Sequence, residues 1–436
     1  MKSKGPVQTF SLGLQHVLAM YAGAVIVPLI VGGALGLSQK ELAYLISIDL
    51  FACGVATLLQ VYHNRFFGIG LPVVLGCTFT AVAPMIAIGE TYGISAVWGA
   101  IIVSGLFVVV FARFFGQIVK FFPPVVTGSV VTIIGITLVP VAINDMAGGA
   151  GSESFGSSIN LALSFGTLFF IIVINRIFRG FVRAISILLG IIAGSVVASF
   201  MGLVEVQPVR DAAWVHNLQP FYFGMPTFEL SAILTMIIVA IVSMIESTGV
   251  FLALGKICER EIKPEDLTKG YRAEGLAILF GGLFNAFPYT AYSQNVGLIQ
   301  LSGVKDRKVI KTAGVILIFL GLTPKIGVIT TLIPTPVLGG AMMAMFGMVV
   351  AAGIRMLSEV DFQKQENLLI IACSIGIGLG VTVQPELFQN LPSALEIVTA
   401  NGIVAGSLTA MLLNLFFNGN LRLGVKVKQK TYKEAS

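Results

Sequence analysis

Charge is what this chain has least of. Asp, Glu, Lys and Arg make up 11% of its 436 residues, against about 25% in a soluble domain. The residues AVILMFWYC supply 56%, with 49 glycines besides, and the mean hydropathy is +0.94. No arrangement of this composition gives a water-compatible surface, which excludes a soluble enzyme, a nucleic-acid binder and a disordered chain. Its solvent is the lipid bilayer. Other absences narrow the function. The four cysteines (Cys53, Cys77, Cys258, Cys373) form no CxxC and stand at no metal-ligand spacing to a histidine, so they read as packing thiols. No GxxxxGK(S/T) phosphate loop occurs, so ATP does not drive the protein directly. No Ser-His-Asp arrangement or metal cluster is in sight, so the chain is not expected to be an enzyme. An ion gradient, with no cofactor, is left as the energy source. The first apolar run, Leu12 to Gly33, is long enough to span and lacks a cleavage site, so no cleavable signal peptide is expected.

A spanning helix needs about 20 apolar residues. Runs of that kind cover 9–33, 42–61, 95–113, 122–143, 159–178, 181–204, 228–254, 309–323, 330–353, 366–383 and 387–416. Two further stretches are too short or too broken to be ordinary spans: 68–89, and 274–303, which is interrupted at Asn285–Pro288. Counting the first as one pass and the second as two gives an expectation of fourteen. The basic residues test that count. With fourteen passes and both termini in the cytoplasm, 24 of the 27 Lys and Arg fall on the inside, and only Lys40, Arg210 and Lys325 fall outside. That is the asymmetry expected of membrane proteins. Omitting 68–89 would put Arg65 and Arg113 on opposite sides and spoil it.

Shifted by 212 residues, the chain partly matches itself: Phe107 meets Phe319, Arg113 meets Lys325, Pro124 meets Pro336, Gly128 meets Gly340 and Gly135 meets Gly347. Seven passes separate corresponding points. Seven is odd, so the second half enters the membrane upside down. The same shift lays Gly76-Cys77-Thr78 on Pro288-Tyr289-Thr290, one broken stretch on the other. Inverted repeats with interrupted helices at the midplane are the architecture of secondary transporters, and the breaks point to the binding site.

Ionisable residues inside spans are functional candidates by default. Three acids qualify: Asp49, Glu246 and Glu274. Glu246 sits deepest, with no basic residue nearby in sequence; burial disfavours its charged form, which suits a group that takes up and releases a proton. Satisfaction by Ser243, Ser247 or Thr248 is the plainer alternative. For Asp49 a structural role and a functional one both fit. Polar residues also cluster at Gln15-His16 and at Tyr292-Ser293-Gln294-Asn295. An amide side chain offers a donor and an acceptor, complementary to the adjacent N–H and C=O of a purine or pyrimidine lactam. Glu246 with Gln294 therefore suits a planar heterocycle. Helix capping is the alternative for Gln294-Asn295, and simple packing for His16.

These residues carry a resemblance. The chain resembles the nucleobase–ascorbate transporter family, and within it the bacterial xanthine permeases. The family pattern (Q/E/P)-N-x-G-x4-(T/S)-G is met by Gln294-Asn295-Val296-Gly297 and Ser302-Gly303. The Gln-His pair of its first span matches Gln15-His16, its eighth-span glutamate matches Glu246, and its short third span matches Thr78-Phe79.

The resemblance implies an all-α polytopic membrane fold of fourteen spans in a seven-plus-seven inverted repeat, with short strands in broken spans 3 and 10. It implies a core domain from 1–118 and 228–325 (spans 1–4 and 8–11). It also implies a gate domain from 119–227 and 326–436 (spans 5–7 and 12–14, with a cytoplasmic tail). Glu246 and Gln294 would bind the base through side chains and Phe79 and Ser293 through backbone groups, while Asn295 organises the site. Gln15, His16 and Thr78 would tune affinity, and Glu246 and Glu274 would couple protons. Two departures stand out. Val250 occupies a position that is Asp or His in many relatives, and Gln294 stands where uracil carriers place a glutamate. The second favours an oxidised purine. The expectation is a plasma-membrane proton symporter of xanthine, with urate or uracil as alternatives, forming a homodimer through gate domains. An anion carrier on the same scaffold is the second reading.

Overall fold

The computed structural model describes residues 5–118, 123–204, 207–215, 218–388, 390 and 401–418. Its first part runs α1 (Pro6–Ala34), α2 (Gln39–Val61), strand β1 (Leu75–Cys77), a 3-10 turn (Phe79–Ala81), α3 (Val82–Tyr92) and α4 (Ile94–Ile118). There follow α5 (Pro124–Met146), α6 (Ser158–Ile177), α7 (Phe181–Ala184), α8 (Ser186–Phe200) and α9 (Gln207–Asp211). Next come α10 (Leu230–Ile257), α11 (Pro264–Leu283), β2 (Tyr289–Ala291), α12 (Ser293–Ser302) and α13 (Arg307–Gly321). The last are α14 (Pro324–Thr331), α15 (Thr335–Leu357), α16 (Gln365–Val383), a 3-10 turn (Pro385–Phe388) and α17 (Gly402–Asn418).

Among the described residues, eight helices (α1, α2, α4, α5, α6, α10, α15 and α16) are long and apolar enough to cross a bilayer, or nine if α13 and α14, bent by 78°, count as one. The protein is a mostly helical, multi-pass membrane protein. Each broken stretch holds a half-length helix, α3 of 11 residues and α12 of 10, and the second also holds the end of α11.

Local chemistry sets the boundaries, and shifts several from their expected places. Ser38 and Glu41 form a reciprocal cap on α2, the Ser38 N–H donating to Glu41 Oε2 at 2.8 Å. Helix α11 starts ten residues before the expected 274. Pro264 opens it and Asp266 accepts from the Lys263 N–H at 3.1 Å, so a charged turn that hydropathy reads as loop belongs to the helix. The run 330–353 is displaced to Thr335–Leu357 because Pro334 and Pro336 bracket its first turn. The run 181–204 divides at Ile185 into α7 and α8. Much of the start of 387–416 lies outside the described residues, and α17 covers the rest.

The helices pack in two groups. In one, α4 lies on α11, α2 on α13 and α11, α1 on α13, and α10 on α4; α14 also lies on α2. In the other, α5 and α6 pack on α15, α16 on α5 and α17, and α8 on α6. Glycine allows the closest crossings. At Gly54 on α2 a Cβ would come 2.5 Å from Gly314 O on α13, and at Gly275 on α11 it would come 2.9 Å from Gly105 O on α4.

The basic residues separate by end. Helix α2 separates Lys40, in its first turn, from Tyr62, just past its end, by roughly 33 Å at 1.5 Å per residue. At the Lys40 end, a cavity of about 760 Å³ is lined by Lys40, Asp211 and Pro324. There Lys325 donates to Val209 O at 2.9 Å and stands 4.7 Å from the Trp214 ring. At the other end Lys311 lies over Tyr62, Arg272 over Phe66, and Arg260 bonds Ile69 O at 2.9 Å.

Candidate substrate site at the junction of two broken helices

Strands β1 and β2 pair antiparallel, Leu75 with Ala291, Gly76 with Thr290 and Cys77 with Tyr289. The two stretches that the 212-residue shift superposes thus meet in space. Bonds from Thr78 N to Pro288 O (2.9 Å) and from Tyr292 N to Val74 O (3.0 Å) lengthen the ribbon. Its backbone groups are satisfied within protein, the condition for irregular chain at membrane depth. Gly76 leaves room for the Tyr292 ring, which a Cβ there would meet at 2.4 Å. The Tyr292 hydroxyl donates to Cys77 O at 2.9 Å.

Beyond the ribbon the chain turns twice into short helices. Phe79 opens the 3-10 turn before α3, and Ser293 is the first residue of α12. Backbone N–H groups at such starts lack intrahelical partners and carry partial positive charge. Helix α10 crosses this junction. Ser243 donates to Thr78 Oγ1 (3.4 Å), while Ser247 bonds the Thr290 hydroxyl (3.0 Å) and accepts from the Ala291 N–H (3.0 Å). These serines are one turn apart, with Glu246 on the same stretch of helix. Glu246 is partly open while Ser243 and Ser247 are buried, and the Thr80 hydroxyl lies beside its carboxyl.

The other expected residues occupy distinct places. Asn295 is buried on α12 and its Nδ2 meets both His16 Nδ1 and His16 O at 3.1 Å, tying α12 to α1. Its Oδ1 has no partner among the described residues. Glu274 is fully buried on α11 with Ser247 and Glu246 as polar neighbours. The Phe79 ring meets Phe346 of α15 edge-on at 5.7 Å, touching the second helix group. Gln15 is half-buried, and neither it nor Gln294 makes a side-chain hydrogen bond among the described residues. Gln294 lines a separate cavity of about 290 Å³. Asp49 has its surroundings fully used: Oδ1 accepts from Phe287 N (3.4 Å) and the Tyr289 hydroxyl (3.3 Å), and Oδ2 from Cys53 Sγ (3.6 Å). It braces the break at Asn285–Pro288. Sequence reasoning missed Thr80 and the fit of Tyr292 against Gly76. Only the small residue in an otherwise bulky strand hinted at the latter.

A carboxyl and two helix starts offer acceptors and donors suited to the edges of a flat heterocycle. Residues 7–387 match the Xan_ur_permease model, described as "Permease family". The chain is 64% identical over 411 residues to the xanthine permease of Bacillus subtilis, covering 94% of each chain. It is 61% identical over 411 residues to the uric acid permease PucK of Bacillus subtilis, covering 94% of this chain and 96% of that one. In fold it is similar to the transmembrane domain of a cyanobacterium bicarbonate transporter, BicA, with a TM-score of 0.63 at 14% identity over 95% of this chain and 98% of that one. The protein is a permease and not an enzyme: it belongs to the nucleobase–ascorbate transporter family.

Proposed function

We propose that this protein imports purine nucleobases by proton symport, with xanthine as its principal substrate. The observation that carries this reading is Glu246, a partly buried residue of α10 at the junction of the two helix starts, with the Thr80 hydroxyl beside its carboxyl. Glu246 and Gln294 bind the base by side chains, and Phe79 and Ser293 offer backbone N–H groups. Asn295 organises the site through His16, while Gln15, His16 and Thr78 tune affinity. Glu246, with Glu274 behind Ser247, carries the coupled proton. Names among the relatives speak for xanthine and for uric acid alike; Gln294 in place of a carboxylate favours either over uracil. The BicA-like fold supports only the scaffold, so the anion-carrier reading gains nothing further from it.

Architecture follows the same reading: fourteen passes in an inverted seven-plus-seven repeat. Its support is an exchange pattern. Matching α1 with α10, α2 with α11, α4 with α13, α5 with α15, α6 with α16 and α8 with α17 converts each main packing pair into another that also exists. For example, α2 on α13 becomes α11 on α4, and α6 on α15 becomes α16 on α5. The first packing group serves as core and the second as gate. The packing of α14 on α2 favours a boundary after Thr331 over one at 325. Rocking of one group against the other provides alternating access. The carrier lies in the plasma membrane with both termini cytoplasmic, and pairs with a second copy through the gate.

The test is uptake of labelled xanthine by cells or proteoliposomes, competed by urate, guanine, hypoxanthine and uracil, with and without a proton uncoupler. Saturable, purine-competed and uncoupler-sensitive uptake is expected. Glu246→Gln abolishes uphill accumulation; undiminished accumulation by that variant overturns the coupling role.

A further inference from the structure

A carboxyl at membrane depth needs a polar partner, since an unpaired one is costly whether ionised or not. The neighbours of Glu246 on its own helix are committed elsewhere. Ser243 donates to Thr78 Oγ1 (3.4 Å) and Thr248 to Met244 O (2.6 Å), while Ser247 lies between the Thr290 hydroxyl (3.0 Å) and Glu274. One turn beyond Glu246, Val250 is buried and apolar. The wall opposite is different. The 3-10 turn Phe79–Ala81 packs on α10. It is pinned at Thr78, whose Oγ1 accepts both the Thr80 N–H at 3.3 Å and the Ser243 hydroxyl. Thr80 is fully buried, and its own hydroxyl is bonded to nothing else among the described residues. That hydroxyl lies beside the Glu246 carboxyl. A buried hydroxyl left alone is costly in its turn, so each group is what the other lacks.

We propose that Thr80 is a positioning residue for proton coupling: its hydroxyl fixes the Glu246 carboxyl in one place in both of that carboxyl's protonation states. A hydroxyl can donate as well as accept. It donates to the carboxylate and accepts from the acid, with no movement of the chain; a lysine there could only donate. The bond to the ionised form is the stronger of the two. Removing it therefore falls hardest on the step in which Glu246 has given up its proton. Net import passes through that step, whereas exchange of base for base with Glu246 protonated throughout does not. This rests on the proton-symport reading above.

The test uses the full-length carrier in proteoliposomes and compares two rates for labelled xanthine: uphill uptake driven by an imposed proton gradient, and counterflow without one. Thr80→Val keeps the shape and removes the hydroxyl. It is expected to slow uphill uptake about tenfold, the loss of one hydrogen bond to a charged group, and counterflow by no more than about threefold. Thr80→Ser, which keeps the hydroxyl, restores both rates to within about threefold of the wild type. Thr80→Ala repeats the split with a smaller side chain, so the comparison of Ala with Ser stands even if the Val variant does not fold. Uphill uptake by the folded Val or Ala variant at the wild-type rate overturns the proposal. So does an equal loss of both rates, or a Ser variant as slow as Ala. Wild-type accumulation of xanthine that ignores the proton gradient refutes proton symport itself, and this role with it.

Discussion

At the scale of the residue, Asp49 is decided by its neighbours. Composition marks it only as an acid in a span, open to a structural or a functional role. Its oxygens receive the Phe287 N–H, the Tyr289 hydroxyl and the Cys53 thiol, which leaves no free face for a substrate. Asp49→Ala strands the buried Phe287 N–H and Tyr289 hydroxyl, at about 1–3 kcal/mol each, besides the weakly donating Cys53 thiol, and is expected to lower the apparent melting temperature in detergent and the folded yield. Asp49→Asn keeps an acceptor oxygen and retains most transport. A folded Asn variant without uphill uptake would turn Asp49 from a brace into a proton carrier. Glu246 was legible from sequence because a lone carboxyl in an apolar span is costly. Thr80 was not, since a threonine near a span's midpoint costs little and leaves no mark.

Among the elements, the two half-helices were legible because Gly and Pro interrupt runs too short to span. Their meeting was legible only through the 212-residue shift. The strand register was not, since it depends on bonds such as Thr78 N to Pro288 O between segments more than 200 residues apart. The helix crossings likewise depend on glycines that look alike in the sequence and differ in place. Gly54→Ala and Gly105→Ala push a Cβ against facing backbone, Gly314 O at 2.5 Å and Leu279 N at 2.6 Å. Each is expected to cost about 1–3 kcal/mol. Gly166→Ala on α6, where a Cβ meets nothing within 4 Å, is neutral or slightly stabilising. Thermal denaturation in detergent distinguishes them. Equal melting of all three would mean the helices separate at no cost.

For the whole molecule, the cations excluded from the inside set gather where α2 begins, around Lys40 and Lys325, and the abundant set flanks its far end. With Cys258 and Cys373 replaced by Ser, a membrane-impermeant maleimide should label Gln39→Cys on intact cells. It should label Lys308→Cys only after permeabilisation. The reverse pattern would invert the carrier in the membrane.

By itself, the sequence determined the bilayer as solvent, the positions of the breaks, the charge asymmetry and the carboxyl to watch. All of these follow from what hydrocarbon tolerates along a single stretch of chain. The tertiary structure decided which atoms of the broken stretches pair, that Asp49 braces while Glu246 stays partly open, and that Gln294 lines a cavity between α1, α8 and α12. Those outcomes rest on contacts between residues far apart in the chain. No local rule of hydropathy or spacing encodes a contact that exists only once the helices have packed.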